Sequence, residues 1–192
     1  MANPTLATQI AANAGVGDAA KELLRDDLSP AAYLDLLAAK ALFKDALGFF
    51  AHAVPVDVTL RWAVDCVKEF QPEGQQQPEA ATQSLALCEQ WLKTRSDSDR
   101  FEVNKSAKKA GLSTPPGCVA MAVFLAGKSM TPQGSPPAPP PPFAAEKMAA
   151  GAVRAAVLKL DPQKATQNYS RALEMGKTIA KGKGAANFAA AG

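Results

Sequence analysis

A single histidine among 192 residues removes every metal site that needs two imidazoles and leaves only His52 to serve a histidine-dependent triad. Aromatic residues make up only 6% of the chain and β-branched residues rarely occur in runs, so a sandwich or a parallel sheet would lack its usual material. The 3 cysteines, Cys66, Cys88 and Cys118, are odd in number and widely spaced, and no CxxC pair occurs. That excludes a zinc knuckle and a thioredoxin-type redox motif. Each sits in an apolar helical stretch and reads as a small buried hydrophobe, which makes a reducing, cytoplasmic compartment the default expectation. Long apolar runs are missing too. The most apolar stretch, Cys118 to Ala126, is too short to cross a bilayer. The N-terminal segment before Gly17 has no lysine or arginine and no apolar core of the secretory type.

What the chain has in quantity is alanine. Alanine occurs 40 times, and without it the 47% hydrophobic fraction falls to roughly a quarter. Alanine at this density favours closely packed helices, and the length fits one domain. The expected architecture is therefore all-α, a compact irregular bundle of about seven or eight helices. The net charge of +3 is unevenly spread. Residues 143–192 hold 8 basic and 3 acidic side chains, whereas residues 1–142 are slightly acidic.

Residues 1–17 are polar, alanine-rich and punctuated by glycine, and read as a flexible arm before a single helical domain at 18–181. Ser29 followed by Pro30 is a cap with a first-turn proline, opening a helix that carries Tyr33, Leu34, Leu37 and Ala41. Leu42, Ala46, Phe49, Phe50 and Ala53 form the next inward stripe, which Pro55 ends. Residues 56–70 show the clearest amphipathic pattern, with Ala63, Cys66, Val67 and Phe70 on one side and an i, i+4 pair, Arg61 and Asp65, on the other. Beyond a Gln- and Pro-rich loop, Ala81, Leu85, Cys88, Trp91 and Leu92 mark a fourth face. A more polar helix starts at Ser96 and Asp97 and ends at Gly111. Thr114 with Pro115 starts a nearly all-apolar helix, expected to be central. Two alanine-lined helices close the domain, and residues 182–192 read as a flexible tail.

No catalytic, cofactor-binding or metal-ligating constellation emerges. His52, near a helix C-terminus, reads as a dipole partner or a hydrogen-bonded residue at the core edge. Gly176, Lys177 and Thr178 imitate the end of a phosphate-binding loop, but Arg171 stands where its first glycine is needed and a helix precedes them instead of a strand. The segment 131–142 is more distinctive: 7 of the 15 prolines lie between Pro132 and Pro142, which predicts an extended, stiff strap before the last two helices. Pro136 and Pro139 satisfy PxxP, so Pro136, Pro137 and Pro139 are candidates to meet an aromatic groove. The alternative is a structural strap lying on the surface with Phe143 as its hydrophobic anchor. Lys177 and Lys181, on the basic last helix, are the remaining candidate partner-binding residues. No interleaved arginines and aromatics accompany them, so no nucleic acid is expected.

The order of motifs resembles an uncharacterised family of bacterial helical proteins often found among type VI secretion components. The resemblance rests on Ser29-Pro30-Ala31-Ala32-Tyr33-Leu34, on Phe50-Ala51-His52-Ala53-Val54-Pro55, on Trp62-Ala63 with Cys66, and on Gly111-Leu112-Ser113-Thr114-Pro115. With the strap and the helix after it, these pieces span residues 28–180. The family carries tryptophans where this chain has Arg61, Cys118 and Phe124. The resemblance implies a secretion context and no assigned activity. Together with the missing chemistry, it leads to the expectation of a non-enzymatic interaction protein, an accessory, adaptor or chaperone-like subunit whose partner is a secretion component or effector. An immunity protein that neutralises a secreted toxin is the alternative, and a hydrolase built around His52 is a third.

Overall fold

The computed structural model describes residues 6–72, 74 and 76–185. Over these the chain forms ten α-helices: α1 (Ala7–Ala14), α2 (Asp18–Lys21), α3 (Pro30–Ala39), α4 (Phe43–Ala53), α5 (Val56–Glu69), α6 (Glu79–Thr94), α7 (Asp97–Ala110), α8 (Pro115–Leu125), α9 (Ala144–Leu160) and α10 (Ala165–Gly182). One 3₁₀ turn, Pro162–Lys164, precedes α10, and no strand occurs among the described residues. The fold is all-α, as the composition requires, with more helices than the seven or eight expected. The difference comes from the two short N-terminal helices and from the break between α3 and α4, where Ala41 takes a left-handed φ of 55°.

Local chemistry places the helix starts. The Ser29 hydroxyl accepts the Ala32 N–H at 3.1 Å with Pro30 in the first turn. Thr114 accepts the Gly117 N–H at 3.2 Å with Pro115 and Pro116 behind it. Such caps satisfy amides that the helix itself leaves without partners. The expected loose arm at 1–17 is corrected in part. Residues 1–5 lie outside the described residues, but α1 packs on α4 with Ala7, Ile10 and Ala11 buried. Alanine carries most of that stripe, so its hydrophobic period is faint. Of the expected tail, residues 186–192 lie outside the described residues, whereas Ala185 is buried and its N–H meets the Ala180 carbonyl at 3.0 Å.

The most extensive helix contact is between α8 and α9. On one side α8 packs on α7 and α6; on the other, α9 meets α4, α5 and α10, with α1 and α3 laid on α4. The central place of α8 matches its lack of a polar face, and Ala149, Ala152, Val153 and Ala156 let α9 approach its neighbours closely. Large side chains gather around Trp62. Its ring meets Phe50 edge-on at 4.9 Å, and its indole N–H donates to the Ala172 carbonyl of α10 at 2.8 Å, supplying the partner that a buried indole needs. A Cβ on Gly176 would sit 2.6 Å from the Phe50 ring. The glycine of the phosphate-loop imitation is thus a packing residue inside α10.

Candidate functional site

The proline-rich segment leaves the C-terminus of α8 and folds as two pieces rather than one extended strap. The first, residues 129–138, closes on itself. Met130 N–H donates to the Ala138 carbonyl at 2.7 Å, and the Ser129 hydroxyl accepts the Ala138 N–H at 3.0 Å and the Thr131 N–H at 3.1 Å. The Thr131 hydroxyl donates to the Pro136 carbonyl at 2.7 Å. Prolines cannot donate, so this loop is closed by the few hydroxyls and amides that interrupt them. The second piece runs without regular secondary structure to Phe143, across a shallow hollow between the start of α5 and the end of α8.

Arg100 fixes the loop to the bundle. Its side chain, on α7, is only 3% exposed and forms an ion pair with Asp97 at 2.7 Å. Nη1 donates to the Phe124 carbonyl at 2.8 Å and Nη2 to the Ser129 carbonyl at 2.8 Å, joining α7, the end of α8 and the loop. The guanidinium also lies 4.8 Å from the Phe101 ring centroid and 5.1 Å from that of Phe124. A charge this deep is tolerable only with such complete pairing. Gly127 makes the arrangement possible, because a side chain there would overlap the guanidinium.

Between the loop and the adjoining ends of α6, α7 and α8 lies an open cleft of about 520 Å³, lined by Trp91, Arg95, Arg100, Lys128, Thr131 and Pro137 among others. Arg95 lies over the Trp91 ring at 4.7 Å and pairs with Asp57 at 3.6 Å. The lining presents guanidinium, hydroxyl and ring surfaces.

The candidate residues fall into separate places. Pro136, Pro137 and Pro139 are exposed on the loop and just beyond it. Phe143 adopts a left-handed φ of 58° ahead of α9, stays 40% exposed, and rests its ring at 5.4 Å from that of His52. It seats the strap on α4 without entering the core. Lys177 ties α10 to α3 through Asp35 at 2.6 Å and also meets Glu174 at 2.9 Å. Burial opposes its charge, but those hydrogen bonds prevail and raise the ammonium above the ordinary lysine range. Lys181 is exposed near the end of α10. The lysines and the prolines therefore do not form one site. Sequence reasoning missed Arg100 and Ser129, which lie 29 residues apart and gave no signal beyond the small residue Gly127.

His52 sits in the last turn of α4, where Nδ1 meets the Gly48 carbonyl at 2.8 Å. Burial lowers its pKa below the ordinary histidine value, against the opposing pull of the Gly48 carbonyl and Glu146. Cys66 and Cys88 are buried, and burial pushes the Cys88 thiol up to about 12. Among the described residues no group of three or more His, Cys, Asp or Glu side chains could hold a metal ion, and no helix is long and apolar enough to cross a membrane. No curated protein and no solved structure matches the chain. A family model does match residues 33–180, from α3 to α10, and the chain belongs to that family, the family of unknown function DUF6931.

Proposed function

We propose that the chain is a non-enzymatic protein–protein interaction module, an accessory, adaptor or chaperone-like component working in the cytoplasm beside a bacterial type VI-like secretion system. The observation that carries this reading is the presentation of the strap. Pro136, Pro137 and Pro139 stand exposed on a segment whose shape is held by Ser129, Thr131 and the buried Arg100. A proline ligand fixed in this way avoids much of the ordering cost that a free peptide meets on docking, and an aromatic groove is the surface that reads it. The secretion setting rests on the motif order described for the sequence.

The test compares tagged native chain with a Pro136→Ala, Pro137→Ala, Pro139→Ala variant, each recovered from the native host and its companions quantified by mass spectrometry. A secretion component or effector should accompany the native chain and fall at least about tenfold with the variant, circular dichroism being unchanged. Identical companions for both chains would remove the strap as the docking element. Recovery of a toxin whose growth inhibition the chain relieves would replace the accessory role by immunity.

A further inference from the structure

A second cleft, of about 140 Å³, lies where the end of α1 and one face of α4 meet the N-terminal half of α9. Lys44, Gly48 and His52 lie on one face of α4, four residues apart, while Lys147, Gly151 and Arg154 form the facing stripe of α9. Open space lies beside both glycines, since a Cβ added to either would touch nothing within 4 Å. Lys44, Lys147 and Arg154 bring three cations to the cleft and form no ion pair among the described residues. The one carboxylate in the lining, Asp45, is engaged by the Gly17 N–H at 2.8 Å. Glu146, next to Lys147 and outside the lining, is the acidic group that acts on His52.

His52 provides an independent sign. Gly48 offers only a carbonyl oxygen, so Nδ1 carries the proton in their 2.8 Å bond and the lone pair is on Nε2. Nε2 is shut off from solvent and has no hydrogen-bond partner among the described residues. An orphaned buried polar atom is costly and asks for an explanation. Here it belongs to a residue that lines a cavity with unbalanced positive charge.

We propose that this cleft binds a small phosphate-type oxyanion, held by Lys44, Lys147 and Arg154 with His52 as the group coupled to it. The charge fits. Within the lining three cations against Asp45 leave an excess of two, which Glu146 lowers from outside it; a phosphate brings more negative charge and more oxygens to what remains than a monocarboxylate does. The size fits as well, because the cavity admits a phosphate group and is well below the ~300 Å³ of pockets that enclose whole cofactors. Arg154 supplies the planar fork that pairs with two oxygens of one anion, and the lysines act as point charges. Burial and Lys147 both discourage a charge on His52; an anion reverses that balance, so binding and protonation of Nε2 favour each other.

Because His52 is the only histidine, its ring resonances in the full chain report on the cleft without assignment ambiguity. The experiment titrates inorganic phosphate, and in parallel O-phosphoserine, into the chain in a non-coordinating buffer, with chloride and acetate at matched ionic strength. Phosphate should give a saturable shift of the His52 resonances and move the His52 titration to higher pH. Saturation by phosphoserine at lower concentration than by phosphate identifies a phosphate ester as the natural source; the reverse order identifies the free ion. Lys147→Gln with Lys44→Gln, both at exposed positions, should weaken phosphate at least about tenfold with an unchanged thermal midpoint, and Arg154→Gln should do the same. A shift that chloride or acetate reproduces, or one that survives these substitutions, overturns the proposal.

Discussion

Arg100 occupies the space that a side chain on Gly127 would need. Gly127 does not take a left-handed backbone conformation, so an alanine there is opposed first by the guanidinium and not by backbone strain. Gly127→Ala should displace Arg100 from the Ser129 or Phe124 carbonyl and cost about 1–3 kcal/mol by urea denaturation. Cleavage within 129–138 in limited proteolysis should speed up at the same time. Arg100→Met keeps the apolar stem but strands two carbonyls, for a loss of about 2–3 kcal/mol. Cleavage at the native rate in both variants would show that Arg100 does not hold the loop.

Gly176 and Phe50 form a second pair that excludes extra volume. Gly176→Ala places a methyl within 2.6 Å of a ring that is itself fully buried against Trp62, so it should destabilise the domain by about 1–3 kcal/mol although alanine is the better helix former. Phe50→Leu should lower that cost. A coupling of at least ~0.5 kcal/mol in the double-mutant cycle is the expected reading, and strict additivity would reject the steric account.

These two glycines also show what the sequence could convey. The stripes of α4, α5 and α6 were legible because Phe, Leu, Val and Trp stand out against polar neighbours at helical spacing, and α8 because it has almost no polar residue at all. Ser29-Pro30 and Thr114-Pro115 announced helix starts through local chemistry that needs no tertiary contact. α1 was not legible, because a stripe of Ala7, Ile10, Ala11 and Ala14 barely differs from its alanine-rich surroundings. Nothing local sets Arg100 apart from the other charges of its polar helix. Only the bundle, by bringing Phe124 and Ser129 to it, makes it a buried clamp. The cation cleft was hidden for the same reason, since Lys44 and Lys147 are about a hundred residues apart and meet only when α4 crosses α9.

His52 gives the domain a pH dependence whose sign follows from burial. Its folded pKa lies below the ordinary 6.5, so near pH 6.5 the unfolded chain binds more protons than the folded one. The stabilisation due to the neutral ring is complete above that value and is lost as pH falls through it, levelling off once the folded ring is protonated as well. The urea midpoint should therefore decline between pH 7.5 and about 5.5, a range in which ordinary carboxylates remain ionised. His52→Gln should flatten the decline in phosphate-free buffer. A decline of the same slope in the variant would assign it to other groups.

Thiol reactivity separates the three cysteines by depth. Cys66 and Cys88 have no exposed surface and burial raises both thiols, so they react only as fast as the domain opens. Cys118 is half-buried, and its thiol donates to the Leu112 carbonyl at 3.0 Å. Burial raises its pKa too, which makes it slow compared with a free cysteine but first among the three. Iodoacetamide at pH 8 should add one label to the native protein, at Cys118 by peptide mass spectrometry, and three labels in urea. Cys88 lies on α6 one turn before Trp91, which lines the cleft beside the loop. Labelling of Cys88 as fast as Cys118 would mean that α6 lifts away from α7 and α8 without global unfolding, and the cleft under the strap would then be a moving surface.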